Sequence, residues 1–318
     1  MHSFYKPLTI NVSLIDRGKQ MDHMQLWRIL ETGGTKNPLH EILSLLQKID
    51  PRINIDIVKE THRDIGDFFS GKDPNFKPCT TKYHDIKHTY GVALATVRLF
   101  HGFHCEHRTL HREIIVQGVL SAYFHDTGLL LKKTDPAQSG ACYTKTHEKR
   151  SIALMGDYYA DRDTDKNFMN HCALMITCTD LKISPLTLTF SSEDHLLAGC
   201  IVATADILAQ MADRYYLERL PWLFEEMQLG GIKTFSSEMD LIQHTTSFYN
   251  QVIKQRLRTD LKDVQQEMRP HFKKRWGLDE NLYLFNINQN INYLDQILAE
   301  GEMTLTNLFK YLKRTPFS

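Results

Sequence analysis

The sequence lacks a net charge: 38 Lys and Arg residues balance 38 Asp and Glu residues. A balanced chain has no overall field that would draw it to nucleic acid or to an anionic membrane. We therefore expect neither as a partner. An anionic small molecule would have to be held by local groups.

Long apolar runs are also missing. The start, "MHSFYKPLTINVSLIDRGKQ", has no positive region followed by an apolar block, and no stretch approaches the length of a membrane span. The six cysteines show no CxxC spacing, and a chain of 318 residues can bury a substantial core without disulfides. We expect a soluble, cytoplasmic protein with reduced cysteines.

Strand-like alternation is nearly absent, whereas helical periodicity runs through most of the chain. In "PLHEILSLLQKI", Leu39, Ile42, Leu45 and Leu46 form one apolar stripe. Seven further segments have the same periodicity: 88–104, 111–126, 147–160, 165–179, 192–219, 237–258 and 283–299. Ser191 to Asp194 resembles a capping box at the start of one of them. The sequence predicts an all-α protein.

Two of these helices carry acidic groups where apolar residues are expected. "REIIVQGVLSAYFHDTG" ends on His125 and Asp126, and "AGCIVATADILAQMADRYY" contains Asp206, with Asp213 further along the predicted helix. A buried charge is costly unless it is paired or bound to metal. Neither apolar span contains a basic residue, so a metal site is the leading interpretation.

Histidines supply the other potential ligands. His84 and His88 in "TKYHDIKHTYGV" are four residues apart, which would place them on one face of a helix. His147 and His171 lie in further helical segments. Imidazole with carboxylate suits Zn, Mn or Fe, and carboxylate with water suits Mg or Mn. Each histidine alone is more often structural than functional.

The order of these motifs resembles a known family. "YHDIKH", "YFHDTG" and "ATAD" are similar to signature elements of the HD superfamily of metal-dependent phosphohydrolases, in its HD/PDEase branch, which includes the cyclic-nucleotide phosphodiesterases. The resemblance runs from about Tyr83 to about Tyr216. It implies an HD-domain helical bundle at 76–230, with an N-terminal helical extension at 1–75 and a C-terminal helical region at 231–318 that completes the fold.

The resemblance also implies a role for each matching residue. His88, His125, Asp126 and Asp206 would be ligands of a primary metal, with Asp126 bridging towards a second ion. His84 would be no ligand but the proton donor to the leaving oxygen. One or two divalent ions are implied, from Mn, Mg, Zn, Ni, Co or Fe.

His147 and His171 remain open between three roles. They could complete a second metal site, hydrogen-bond to a water on the metal, or be structural. Asp180 would lie near the cleft without being a ligand. Lys87, Lys149, Arg150 and Arg214 are candidate phosphate partners, although each of these four is more often simply a solvated charge.

Departures from the family leave the substrate open. There is no "GYP" element, Leu129 stands where several branches have a phosphate-binding lysine, and no stretch matches the purine-binding "SQxxF" element. A small phosphate ester is expected, with a nucleotide as the leading candidate. Alternatives are an HD-type di-iron oxygenase and a non-catalytic nucleotide-binding module. The regions outside the motifs could also pair two subunits into a homodimer.

Two other stretches predict packing or surface rather than chemistry. "FHGFHCEHRTLHRE", which carries His101, His104, His107 and His111, is expected to be a surface loop between helices. "RYYLERLPWLFEEM" is expected to pack on the core, with Pro221 starting a new helix.

Overall fold

The computed structural model describes residues 23–34, 37–107, 109–160, 162, 165–301 and 303–312. Within those ranges the chain forms helices and loops, and Phe76 and Lys132 make an isolated antiparallel bridge. The all-α prediction is confirmed.

The helices, numbered in chain order, cover every segment expected from periodicity, although the segments 192–219 and 237–258 are each divided. They are α1 (His23–Thr32), α2 (Pro38–Ile49), α3 (Ile55–Ser70), α4 (Ile86–Glu106), α5 (Arg112–Phe124), α6 (His147–Tyr159), α7 (Lys166–Thr177), α8 (Glu193–Met211), α9 (Tyr216–Leu229), α10 (Glu238–Phe248), α11 (Lys254–Arg258), α12 (Met268–Trp276), α13 (Leu282–Leu298) and α14 (Leu305–Tyr311). Short 3₁₀ turns follow α5 at Thr127–Leu129 and precede α12 at Val264–Glu267.

Helix α4 is the centre of the fold. It is apolar around most of its circumference, and Val92, Val97, Leu99 and Phe100 are all buried. A helix of this composition is stable only when neighbours cover every face, and α2, α5, α8 and α12 pack along it. The metal-site motifs therefore start from a helix whose middle is buried on every side.

The N- and C-terminal regions share this core. Buried apolar residues from Leu26 to Leu312 form one cluster. Arg98 of α4 is fully buried and donates hydrogen bonds to the carbonyl oxygens of Ile29 and Leu30, at the end of α1, and to the Tyr283 hydroxyl of α13. The expected packing of additional helices on the bundle is confirmed; residues 1–22 and 313–318 of the two regions lie outside the described residues.

The segment 192–219 is not one helix. Helix α8 ends at Met211, and α9 starts at Tyr216 after a bend of 112°. Asp213 causes the break locally, because its carboxylate accepts from the Tyr215 amide and pairs with Arg219. Among the described residues no single helix is long and apolar enough to cross a membrane; only α8 and α9 together, across their bend, meet that criterion.

Three other local predictions need correction. Ser192, not Ser191, caps α8, since its hydroxyl accepts from the His195 amide. Pro221 lies inside α9 rather than at a helix start. The expected surface loop around His101 is instead the last part of α4, because His101 is buried against His271, with 3.2 Å between their Nδ1 atoms.

Gly102 marks a contact on which the core depends. A Cβ added there would lie 1.7 Å from the Glu267 carbonyl oxygen, so Gly102→Ala must push α4 away from the turn before α12. We expect a loss of about 3 kcal/mol in the free energy of unfolding, measured by urea denaturation. Gly156→Ala in α6, where nothing lies within 4 Å of the added Cβ, should instead stabilise by about 0.5–1 kcal/mol. Equal free energies of unfolding for the two variants would contradict the close contact of Gly102 with the turn before α12.

Candidate metal centre

Three side chains from different helices bring donor atoms together at the core. His88 Nε2 lies 3.2 Å from Asp206 Oδ1 and 3.3 Å from His125 Nε2, and His125 Nε2 lies 3.6 Å from Asp206 Oδ1. Ligands of an ion about 2.0–2.2 Å away are separated by spacings of this order. His88, His125 and Asp206 form a group that could hold a metal ion.

Asp126 lies beside this group. Its Oδ2 is 3.3 Å from His88 Nε2 and 3.2 Å from His125 Nε2, while its Oδ1 faces a different histidine. The carboxylate thus contacts both histidines without belonging to the three-residue group. Its predicted role as a ligand, and as a bridge, stays a prediction.

Local hydrogen bonds fix the two histidines. Helix α4 starts at the residue after Asp85, whose carboxylate accepts from the His88 amide at 2.9 Å. At the end of α5, the His125 carbonyl accepts from Ser151 of α6, and the Ser151 hydroxyl also accepts from the Gly128 amide. Ser151 therefore ties the "HD" corner to the next helix.

The chemistry of the donors fits a cation. The side chains of His88, His125 and Asp126 are at most 4% exposed, and Asp206 is 17% exposed. Asp126 Oδ2 and Asp206 Oδ1 are buried without a hydrogen-bond partner among the described residues, and the ion pairs of both carboxylates there involve only histidines.

The tautomer of His125 also fits a bound cation. Its Nδ1 donates to the Ala122 carbonyl at 2.8 Å, which leaves the Nε2 lone pair directed at the group. Metal-binding histidines commonly use their second nitrogen in this manner, because the outer hydrogen bond fixes both ring orientation and protonation.

The four groups hold their charges by mutual attraction. Burial disfavours every charged form, but the carboxylates outweigh it and raise the pKa of His125 well above its usual range. The pKa of His88 is raised for the same reason. Burial would raise the pKa of Asp126 and of Asp206, but the neighbouring histidines outweigh it and lower both pKa values. A bound cation would take the place of the protons on the histidines.

His84 does not stand on the helix face of His88 as the spacing predicted. It precedes α4, and its Nδ1 donates to Glu226 Oε2 at 2.7 Å, while the other oxygen of Glu226 accepts from the Tyr83 amide at 2.7 Å. The His84 and His88 rings are nevertheless 5.8 Å apart. Burial disfavours its charge, but Asp126 and Glu226 outweigh burial and raise the pKa of His84 to about 9.

His147 lies on the other side of Asp126. Its Nε2 is 3.4 Å from Asp126 Oδ1, and its Nδ1 donates to the Thr144 carbonyl at 2.7 Å. The close approach depends on Gly128, where a Cβ would lie 2.0 Å from the His147 carbonyl oxygen. Neighbouring Glu148 is half-buried, and burial raises its pKa. His147 and Glu148 extend the polar site beyond the three-residue group.

His171 is not brought to this centre. Its Nε2 is 2.8 Å from Ser191 Oγ, and its ring lies against that of His195, tilted by 32° with 3.7 Å between centroids. His171 lies in the middle of α7, and its side chain contacts Ser191 and His195 at the start of α8 rather than the part that carries Asp206. The prediction of His171 as a metal ligand is not supported by this placement.

The other polar candidates are held elsewhere or are exposed. Asp213 pairs with Arg219 at 2.8 Å, and Arg150 donates to the Gly128 and Leu130 carbonyls and to Asp135. Lys149 is exposed on α6. Arg150 therefore has a structural use that its position in the sequence does not reveal.

Sequence reasoning missed Glu226, which is the hydrogen-bond partner of His84. It stands next to Glu225 in an amphipathic stretch, and nothing in the local pattern separates the two. In the structure Glu225 is 55% exposed and faces Lys82, whereas the side chain of Glu226 is 6% exposed. Only packing distinguishes them.

A cavity of about 230 Å³ adjoins His88. Ala209 and Gln210, on the turn of α8 that follows Asp206, line it together with Lys87 of α4. Its remaining walls combine aromatic and charged side chains: Trp27, Tyr83, Tyr90, Tyr215, Tyr216 and Tyr283 on the one hand, and Glu31, Asp85, Asp213 and Arg219 on the other. The space therefore offers aromatic surface together with charged groups beside the donor group.

Chelation should destabilise the protein. An ion held at a hundred times its dissociation constant contributes about 2.7 kcal/mol, so removing it with EDTA should lower the Tm by about 5 °C. The Asp206→Asn variant should melt at the same temperature with and without EDTA. Differential scanning fluorimetry on metal-loaded protein tests this, and an unchanged wild-type Tm after verified metal removal would contradict coupling of the site to folding.

The fold and the site define an all-α protein with a buried His–Asp group that could hold a metal ion. The chain belongs to the Npun_R2479-like family, whose model matches residues 74–271, more than half of the chain. The matched range includes every residue of the centre described above. No curated protein matches the chain. The family name specifies no activity, so function has to be argued from the site.

Proposed function

We propose that this protein is a metal-dependent phosphohydrolase of the HD type, acting on a small phosphate ester. The observation that carries the proposal is the adjacency of two arrangements. One is the His88, His125 and Asp206 group beside Asp126, in which one oxygen of each carboxylate has no hydrogen-bond donor among the described residues, and the other is the His84–Glu226 hydrogen bond next to it. Together they supply what ester hydrolysis requires.

The group would hold a divalent ion through His88, His125 and Asp206, with Asp126 as a further ligand. When bound, such an ion activates water at neutral pH and neutralises charge on the phosphoryl oxygens. The chain itself provides two mostly buried carboxylates, Asp126 and Asp206, whose negative charge the ion would neutralise, so that the site could accept an anion.

His84 would provide the proton for the leaving oxygen. Its Nδ1 proton is held by Glu226, so the ring is fixed and Nε2 is left to carry the proton that is delivered. A histidine that keeps its proton at neutral pH is suited to this role. Glu226 orients the ring and does not itself contact the reacting atoms.

His147 would act on the Asp126 side of the site. Its Nδ1 is engaged by the Thr144 carbonyl, so Nε2 can accept a proton or bind a second ion next to Asp126 Oδ1. Both uses are compatible with hydrolysis. A count of bound ions distinguishes them, because the hydrogen-bonding role needs only one.

The aromatic cavity beside His88 would take the organic part of the ester. Its planar walls suit a ring such as a nucleobase, which makes a nucleotide the leading candidate, and Lys87 at its edge could meet the phosphate. The two catalytic arrangements are independent of that choice.

Hydrolysis of bis(4-nitrophenyl) phosphate, with Mn²⁺, Mg²⁺, Zn²⁺, Ni²⁺ or Co²⁺ supplied in turn, tests the proposal. We expect metal-dependent release of 4-nitrophenolate that is lost in Asp206→Asn and retained in Asp157→Asn, an exposed carboxylate on α6. Iron in the isolated protein with no hydrolysis under any metal would favour the oxygenase. Tight nucleotide binding without turnover would favour a binding module.

A further inference from the structure

We propose that Arg219 of α9 is a positioning residue for His84, acting through the loop Lys82–Asp85. The inference concerns how the loop is held, and it relies on the proposed function only for the chemical role of His84. Nothing in the local sequence marks Arg219, which lies between Glu218 and Leu220 in the amphipathic helix α9.

Arg219 grips the loop by its carbonyl groups. Its Nη2 donates to the carbonyl oxygens of Lys82, at 3.2 Å, and of Tyr83. The same nitrogen lies 3.3 Å from Asp85 Oδ1, the carboxylate that caps α4. The side chain is 10% exposed. A charged donor at this burial forms stronger hydrogen bonds than a solvated one.

The orientation of Arg219 is itself fixed. Asp213, in the bend between α8 and α9, accepts from Nη1 at 2.8 Å. The guanidinium therefore joins three parts of the site: the bend after the Asp206 helix, the loop that carries His84, and the cap of the His88 helix. A planar donor with several N–H groups can hold all three at once, which an ammonium group cannot.

Glu226 binds the donor groups of the same loop, whereas Arg219 binds its acceptor groups. It lies two turns after Arg219 on α9, and it accepts from the Tyr83 amide and from His84 Nδ1. Helix α9 thus binds the loop carbonyls with a cation and the loop amide and imidazole with an anion. Loss of Arg219 would remove the cationic half of this grip, and the backbone of His84, whose carbonyl also accepts from the Thr81 hydroxyl at 2.7 Å, would lose part of its support.

A shift of His84 has a specific kinetic consequence. A misplaced proton donor slows the departure of a basic leaving group, whereas a leaving group that departs as a stable anion needs little protonation. A displacement of about 1 Å is sufficient for a large effect on rate. Arg219 should therefore matter most for esters with poor leaving groups.

The kinetic test compares bis(4-nitrophenyl) phosphate with diphenyl phosphate, whose phenolate is the more basic leaving group. For Arg219→Gln we expect a loss in kcat of about 100-fold with diphenyl phosphate and of less than about 10-fold with the nitrophenyl ester. Arg219→Lys, the milder change, should show the same leaving-group selectivity with a smaller loss in kcat. Arg219→Gln in a His84→Asn background should add no further selective loss.

Arg98→Gln is the matched control. Arg98 is also buried and also binds carbonyl oxygens, but those belong to α1. It should affect both esters equally. An equal loss for both esters in Arg219→Gln would indicate a general structural role. A raised KM with unchanged leaving-group selectivity would indicate a substrate contact. Either result would overturn the proposal.

A second readout needs no substrate. The ¹⁵N-imidazole NMR signals of His84, identified by their absence in His84→Asn, should move in Arg219→Gln and Arg219→Lys and stay in place in Arg98→Gln. Unchanged His84 signals in both Arg219 variants would overturn the proposal. If the wild type hydrolyses neither ester, the proposed function fails, and the NMR result still decides the role of Arg219.

Discussion

Protein purified without chelator and without metal-affinity resin is expected to carry about one equivalent of a divalent transition metal per chain, and Asp206→Asn to carry less than about a tenth of that. The donor atoms of His88, His125 and Asp206 lie together in a buried site, where two carboxylate oxygens have no hydrogen-bond donor within the described part of the chain. Removing Asp206 deletes one donor and half of the anionic charge. Inductively coupled plasma mass spectrometry gives both the amount and the identity of the metal.

Asp213→Asn provides the control on the same stretch of chain, because Asp213 pairs with Arg219 rather than with the metal group. Its metal content should match that of the wild type. Two equivalents in the wild type, reduced to one in His147→Ala, would assign His147 to a second ion. No metal in the wild type, even after incubation with each ion, would refute the metal site and the hydrolase proposal with it.

The second large effect is expected for His84→Asn. Loss of a general acid typically costs 10²- to 10⁴-fold in rate, so kcat with diphenyl phosphate should fall by at least about 100-fold. The metal content should remain that of the wild type, because His84 donates to Glu226 and is not part of the donor group. The combination of lost turnover and retained metal separates a proton donor from a ligand.

Glu226→Gln serves as an intermediate case. It keeps a hydrogen-bond acceptor for His84 Nδ1 but removes the negative charge that stabilises the imidazolium, so we expect a smaller fall in kcat, of about 10-fold.

A His84→Asn protein that loses its metal would show that His84 is a ligand. Full activity with diphenyl phosphate would show that another group supplies the proton.

The sequence by itself determined the helices and the centre of the donor set. Apolar periodicity is a local property, and it was sufficient to predict α4, α5 and α8. Within those helices, His125, Asp126 and Asp206 stood out because a charge in an apolar helix needs a partner, and no basic residue was available nearby. The fold brings these residues together with His88.

Element ends were less determined by the sequence. The periodicity of α8 continues into α9, and the break between them depends on the pairing of Asp213 with Arg219, which is a contact across the bend. The spacing of His84 and His88 likewise suggested one helix face, but Asp85 caps α4, so that His84 lies in the loop before the helix and His88 lies in its first turn.

Only the tertiary structure decided which polar residues meet. Glu226 comes from α9 to bind His84, His147 is drawn to Asp126 by the close approach at Gly128, and His171 is left beside His195. In the sequence these residues are separated by tens of positions, and similar residues such as Glu225 lie next to them. Local chemistry selects residues that need a partner, whereas the packing of helices against each other selects the partner that each one receives.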